Sequence, residues 1–193
     1  MINIPVKLEQ RSYDILIENN LIKSIPIILK KEVHPKNIII ISQDIIIERY
    51  GKELIKNLTH NEFKCEIISI PNSETAKNLK EYEIVIKKLF DFQCDRSSII
   101  LALGGGVVGD LAGFAASTFM RGLKYYQIPT TLLSMVDSSI GGKTGINTLQ
   151  GKNLLGAYHQ PKAVLIDPYL LNSLPIEEVY SGLGEIVKYG FIK

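Results

Sequence analysis

The chain has 193 residues, 46% hydrophobic and 22% charged, with a formal net charge of +2. That is enough apolar content for a packed core of one ordinary domain, which argues against disorder. The near-neutral charge, with no Lys/Arg block, gives no electrostatic footprint for nucleic acid, and no apolar run reaches the length of a membrane span.

Ile2, Ile4 and Val6, then Tyr13, Ile15 and Ile17, alternate with a period of two and predict two short strands. "NNLIKSIPIILKK" predicts a helix with an Asn cap, interrupted at Pro26. "NIIIIS" at 37–42 is a continuous apolar run, the mark of a strand buried on both faces. Helix follows over "QDIIIERYGKELIKNL", strand over "KCEIISIP" at 64–71, and a long helix over 75–92. "SSIILALGGG" is a third buried strand, and helix resumes from about Val107. "LKYYQIP" and "KAVLID" are further strands on either side of a Gly/Ser-rich region from 138 to 160. Past "PYLLNSLP" the pattern is helix only, so a domain boundary is expected near Pro175. Strands alternating with helices predict an α/β fold: a Rossmann-like, largely parallel sheet with flanking helices.

Cys65 and Cys94 lack CxxC spacing and read as free thiols of a reducing compartment. "MINIPVKLEQ" does not read as a signal peptide, so a soluble cytoplasmic protein is expected. His34, His60 and His159 show no metal-ligand spacing, and only His159 lies near candidate chemistry.

Chemistry concentrates in three stretches. In "GGGVVGD", Gly104, Gly106 and Gly109 fit GxGxxG directly after a strand and before a helix. That context suits a phosphate-binding turn, because backbone N–H groups and the helix dipole meet an anion there. Gly109, Ala112, Gly113 and Ala116 form a small-residue stripe that permits close helix–sheet packing. The acid that a Rossmann site carries at the end of its next strand is replaced here by Thr130 and Thr131. In "SSIGGKTGIN" and "GKNLLGAYHQP", Lys143 and Lys152 each follow a glycine and suit anionic groups, although neither fits the P-loop spacing. Asp137 reads equally as a helix cap or an active-site acid. In "SGLGEIVKYGFIK", Ser181, Glu185 and Lys188 share one helix face, and one carboxylate alone is not a metal site.

Taken together, "LALGGGVVGDLAGFAASTFMRG", "IPTTLLSMVDSSIGGKTGIN", "GKNLLGAYHQPKAVLID" and "SGLGEIVKYG" resemble the 3-dehydroquinate synthase family in order and spacing. The resemblance is densest from Leu101 to Gly190. It implies an NAD-dependent carbon–oxygen lyase with a divalent metal, zinc or cobalt. That enzyme cyclises the seven-carbon keto-acid phosphate DAHP to 3-dehydroquinate with loss of phosphate, in the shikimate pathway of aromatic amino acid biosynthesis. It also implies a homodimer in the full-length form, with neither nucleic-acid nor membrane partners.

Residue by residue, the resemblance implies that Glu185 is a metal ligand. Lys143, Asn153, Lys188 and Arg121 would hold the substrate's phosphate, carboxylate and hydroxyls, and Asp137 would organise that site. NAD would meet Gly106, Val107, Val108, Gly109, Asp110, Thr130, Thr131 and Lys152, with Leu170, Leu171, Asn172 and Ser173 nearby. Glu74 and Lys77 match the family's "GExxK" segment, and Asp44 is a candidate for the adenosine ribose. The chain departs from the family at Asn72 and Ser73, where a Gly would tolerate positive φ that Ser does not.

The resemblance further implies an NAD-binding α/β domain over 1–175 and, over 176–193, the first helix of a helical metal and substrate domain cut short at Lys193. Such a piece is expected to be inactive alone. Three other readings stand beside it: a related sugar-phosphate cyclase such as 2-deoxy-scyllo-inosose synthase, which shares the Gly-rich and metal motifs, a glycerol-dehydrogenase-like oxidoreductase of similar fold, and a non-catalytic NAD-binding fragment.

Overall fold

A computed structural model describes residues 1–32 and 35–192; His34 and Lys193 lie outside the described residues. Among the described residues nine strands and six α-helices form: β1 Ile2–Val6, β2 Tyr13–Ile17, α1 Ile25–Leu29, β3 Ile38–Gln43, α2 Asp44–Ile46, α3 Lys52–His60, β4 Cys65–Ile70, α4 Leu79–Asp91, β5 Ile99–Gly104, α5 Gly106–Thr118, β6 Lys124–Pro129, β7 Lys143–Thr148, β8 Gly151–Tyr158, β9 Ala163–Ile166 and α6 Ile176–Phe191. A π-helical turn, Ile47–Gly51, joins α2 to α3 without a break.

Seven strands make one sheet in the order β1-β2-β9-β6-β5-β3-β4. In that sheet the edge pair β1–β2 is antiparallel and the other pairings are parallel. The isoleucine run of β3 shows why this sheet is buried on both faces. Ile38 and Ile40 point into one cluster with Leu54 and Leu58, whereas Ile39 and Ile41 point into another with Val85, Leu89 and Leu111. All four isoleucines are fully buried. At roughly 2 kcal/mol for each large aliphatic side chain removed from water, this strand is a main source of cohesion.

The expected order of strands and helices is present, with four local differences. The helix at 21–31 is a 3-10 turn, Leu21–Ser24, followed by the short α1 with Pro26 in its first turn. Asn20 does not cap it; instead the buried Asp167 carboxylate accepts the N–H groups of Asn20 (2.8 Å) and Ile22 (3.2 Å). The helix expected over 75–92 begins at Leu79, because the Asn78 side chain caps it by accepting the Glu81 N–H at 2.9 Å. A separate 3-10 turn, Glu74–Ala76, precedes it. Ser73 is extended (φ −160°) and its hydroxyl accepts the Thr75 N–H, so this segment carries no positive-φ strain. Finally, the Gly/Ser-rich region holds a hairpin, β7–β8, packed on α5. Its opposed glycines explain why no strand pattern was legible: a Cβ on Gly156 would lie 2.1 Å from the Thr144 carbonyl oxygen.

Candidate active site at the strand ends

The strand order reverses between β3 and β5: β4 lies on one side of β3, while β5, β6 and β9 step away on the other. In parallel sheets the crevice at the carboxyl ends of such strands is the natural ligand position. A cavity of about 590 Å³ opens there. Its walls include Gln43 at the end of β3, Ser73, Glu74 and Lys77 after β4, Gly105 to Val107 after β5 and Thr130 and Thr131 after β6. The far wall is Arg49, Tyr50 and Ser173, where Tyr50 Oη and Ser173 Oγ are 2.6 Å apart and Arg49 donates to the Ser173 carbonyl. A second cavity, about 470 Å³, lies under the β7–β8 hairpin; Asp110, Asp137 and Ser138 border both.

The glycine turn places the N-terminus of α5 in the first cavity with no side chain capping it. A Cβ on Gly104 would sit 2.4 Å from Val108 Cγ2, and one on Gly109 would sit 2.8 Å from Gln127 Oε1. These glycines therefore seat the helix against β5 and β6 and leave its N–H groups facing the crevice, a setting that favours anions. Thr130 is nearly buried and its Oγ1 has no hydrogen-bond partner among the described residues. An orphaned hydroxyl beside an uncapped helix start fits a polar ligand. Thr131 is different: its hydroxyl accepts the Ser134 N–H at 3.1 Å and caps the turn at 132–138.

Between the cavities lies Lys77, only 5% exposed. Its ammonium donates to Asp110 Oδ2 (2.5 Å) and Asn153 Oδ1 (2.6 Å), and Glu74 Oε1 is 3.9 Å away. It points inward because it falls between two helical turns rather than inside one long helix. Burial pushes the Asp110 carboxyl above its ordinary value, with Lys77 opposing the shift and the charges of Glu74 and Asp137 adding to it.

Of the other expected site residues, Val107 and Asp110 line the first cavity, whereas Val108 and Gly109 are buried beneath it. Lys143 and Asn153 line the second cavity. Lys152 is exposed on β8 and borders neither. Leu170 is a core residue, Leu171 packs against the same core, Asn172 is exposed, and only Ser173 of that group reaches the crevice. Asp44 starts α2 at the rim and accepts a 2.5 Å hydrogen bond from Ser69. Arg121 is not brought to the group. It follows the far end of α5 and precedes β6, whose first residue, Lys124, pairs with the first residue of β5, so it lies at the amino ends of the strands, away from the crevice. His159 stacks on Tyr125 and its Nε2 is 2.9 Å from the Leu123 carbonyl, a structural role.

On α6, Glu185 is paired with Lys188, and the Tyr189 hydroxyl donates to Asp137 Oδ1 at 2.7 Å. That bond to a carboxylate pushes the Tyr189 hydroxyl up to about 12. Asp137 is thus no helix cap. Among the described residues no group of three or more His, Cys, Asp or Glu could hold a metal ion, so Glu185 alone does not fit one. Sequence reasoning missed Tyr189, Tyr50 and Asn147. Asn147 lay inside a recognised motif, and nothing in its spacing distinguished it.

A parallel sheet with a crevice at its reversal point and a glycine-seated, uncapped helix defines a Rossmann-like α/β domain. The family model described as 3-dehydroquinate synthase N-terminal matches residues 67–181. The chain belongs to that family. It is 48% identical over 192 residues to a 3-dehydroquinate synthase of Prochlorococcus marinus, covering 98% of this chain and 53% of the relative. It is 43% identical to one of Gloeobacter violaceus, covering 100% and 53%. The chain thus spans about half the length of the curated relatives it matches. Among solved structures it is similar to a 2-deoxy-scyllo-inosose synthase (26% identity, TM-score 0.89, 97% of this chain, 53% of the other). It is also similar to a 2-epi-5-epi-valiolone synthase from Streptomyces hygroscopicus with NAD+ and Zn2+ bound (33%, TM-score 0.84, 95% and 50%).

Proposed function

We propose that this chain carries the dinucleotide crevice and part of the substrate site of a 3-dehydroquinate synthase, the NAD-dependent lyase that cyclises DAHP with loss of phosphate. The observation that carries this reading is the cluster of Asp110 and Asn153 around the buried Lys77 ammonium, which joins a crevice of dinucleotide type to a second, polar cavity. The solved valiolone synthase, with NAD+ and Zn2+ bound, supports the choice of cofactor.

In this reading the uncapped start of α5 and Thr130 Oγ1 hold the cofactor's phosphate and polar groups, and Glu74 and Ser173 border it. Bound NAD would supply reversible hydride acceptance: removing a hydride from a substrate hydroxyl carbon would leave a transient ketone that acidifies the neighbouring C–H so that phosphate can leave, and the hydride would be returned afterwards. The chain's own residues bind and orient. Lys143 places an ammonium in the second cavity for the phosphate ester. Asn153 spends its Oδ1 on Lys77, which leaves Nδ2 to donate to a substrate oxygen. Asp137, held by Tyr189, faces both cavities as an acceptor for a substrate hydroxyl. The described residues do not provide a metal site, and no step is assigned to one.

The same reading places a domain boundary near Pro175, since Pro175 precedes α6 and Gly182 is the one buried residue of that helix. A homodimer, a cytoplasmic location and DAHP as the substrate belong to the proposal as well. The free Cys65 and Cys94 suit a reducing compartment, and no described helix is long and apolar enough to cross a membrane.

Calorimetry with NAD+ present tests the reading. DAHP is expected to bind, and to bind more tightly than glucose 6-phosphate or sedoheptulose 7-phosphate. Tighter binding of either sugar phosphate would point to another cyclase, and net NADH formation with glycerol to a dehydrogenase. Because Glu185 alone does not fit a metal, the 193-residue chain is expected to release no phosphate from DAHP.

A further inference from the structure

The β7–β8 hairpin is irregular where it meets the Lys77 cluster. Ile146 pairs with Leu155 and Thr148 with Gly151, so Asn147 alone stands opposite residues 152–154. The surplus on β8 throws Asn153 out of the ladder into a left-handed backbone, φ 57°. Its freed N–H donates to Asn147 Oδ1 at 2.9 Å. The Asn147 Nδ2 donates to Glu74 Oε1 at 3.1 Å, and its backbone N–H donates to the Lys77 carbonyl at 2.8 Å. Both ends of one side-chain amide and one main-chain N–H thus grip two segments: the loop that presents Glu74 and Lys77, and the bulge that presents Asn153. Asn147 itself borders neither of the two main cavities.

We propose that Asn147 is a positioning residue that locks the cofactor-side loop to the substrate-side hairpin, so that Lys77 and Asn153 take up their places together. The chemistry suits an amide. Glu74 needs a donor and the Asn153 N–H needs an acceptor, and an amide presents the two on separate atoms of one short side chain. Gln is a methylene longer and does not fit the same spacing. The identity of the ligands rests on the functional reading above; the lock itself does not.

The test uses Asn147→Ala, Asn147→Asp, Glu74→Gln and the double variant Asn147→Asp/Glu74→Gln in the full chain. Folding is checked by far-UV circular dichroism. In the ligand-free chain, exchange of the Asn153 amide, followed by NMR, should become about tenfold faster in Asn147→Ala. It should stay at the wild-type rate in Asn147→Asp, which keeps the acceptor. NAD+ affinity should fall about threefold to tenfold in both single Asn147 variants, because Asp sets a carboxylate against Glu74. Adding Glu74→Gln to Asn147→Asp restores a donor–acceptor pair in reverse and should return the affinity to that of Glu74→Gln alone. Unchanged Asn153 exchange in Asn147→Ala overturns the lock, as does a double variant no tighter than Asn147→Asp. If the wild-type chain binds no NAD+, the functional reading fails, and the Asn153 exchange rates still decide the lock.

Discussion

Lys77 is the residue on which most of the site converges. Its ammonium is shielded from water and compensated by Asp110, so removing one partner leaves the other charge buried. Lys77→Met is expected to cost about 3 kcal/mol in urea unfolding. Lys77→Met/Asp110→Leu should recover most of that loss, and a double variant no more stable than the single would contradict the pairing. Glu32 gives a second residue-scale expectation. Burial raises its pKa, but hydrogen bonds from Lys124 and Tyr126 outweigh this and hold it below the ordinary glutamate value. A lowered folded value contributes stability above the unfolded value, lost as pH falls through the folded one. Glu32→Gln should therefore be less stable than wild type at pH 7, by about 1 kcal/mol, with the gap closing as the pH falls through the lowered folded value. A gap that widens in acid would contradict the assignment.

At the scale of elements, close approach decides geometry. A Cβ on Gly182 would lie 2.6 Å from Leu132 Cβ and 2.8 Å from the Leu133 nitrogen, so α6 docks through that one glycine. Gly182→Val is expected to lift α6 from the 132–138 turn, break the Tyr189–Asp137 bond and return the Tyr189 hydroxyl from about 12 towards 10 in a spectrophotometric titration. An unchanged titration would mean that the helix docks otherwise. The strands of the parallel sheet were legible because isoleucine-rich runs announce burial on both faces, and the helix after Gly104 because glycines punctuate it. The hairpin at 143–158 was not, since glycines there serve backbone-to-backbone contact and erase the period of two. The break before α4 was also missed. Asn78 caps by a local hydrogen bond that a helical periodicity does not register, and that break is what turns Lys77 inward.

Across the whole molecule, the sheet order places β3 and β5 side by side and so fixes where a ligand can lie. The motifs named several of the residues around that crevice, Glu74, Lys77, Asp110 and Thr130 among them, because their resemblance to a family carried positions that spacing alone left open. They did not show which of those residues share a space. Leu170 and Val108 are core, Lys152 faces solvent, and Arg121 sits at the amino ends of the strands. The central claim is that the crevice at the start of α5 takes a dinucleotide, and isothermal titration of the chain with NAD+ tests it most directly. Saturable one-to-one binding is expected, abolished in a folded Val107→Asp variant, whose carboxylate suits a helix N-terminus but repels phosphate. No binding at millimolar NAD+, or equal binding by Val107→Asp, would contradict it.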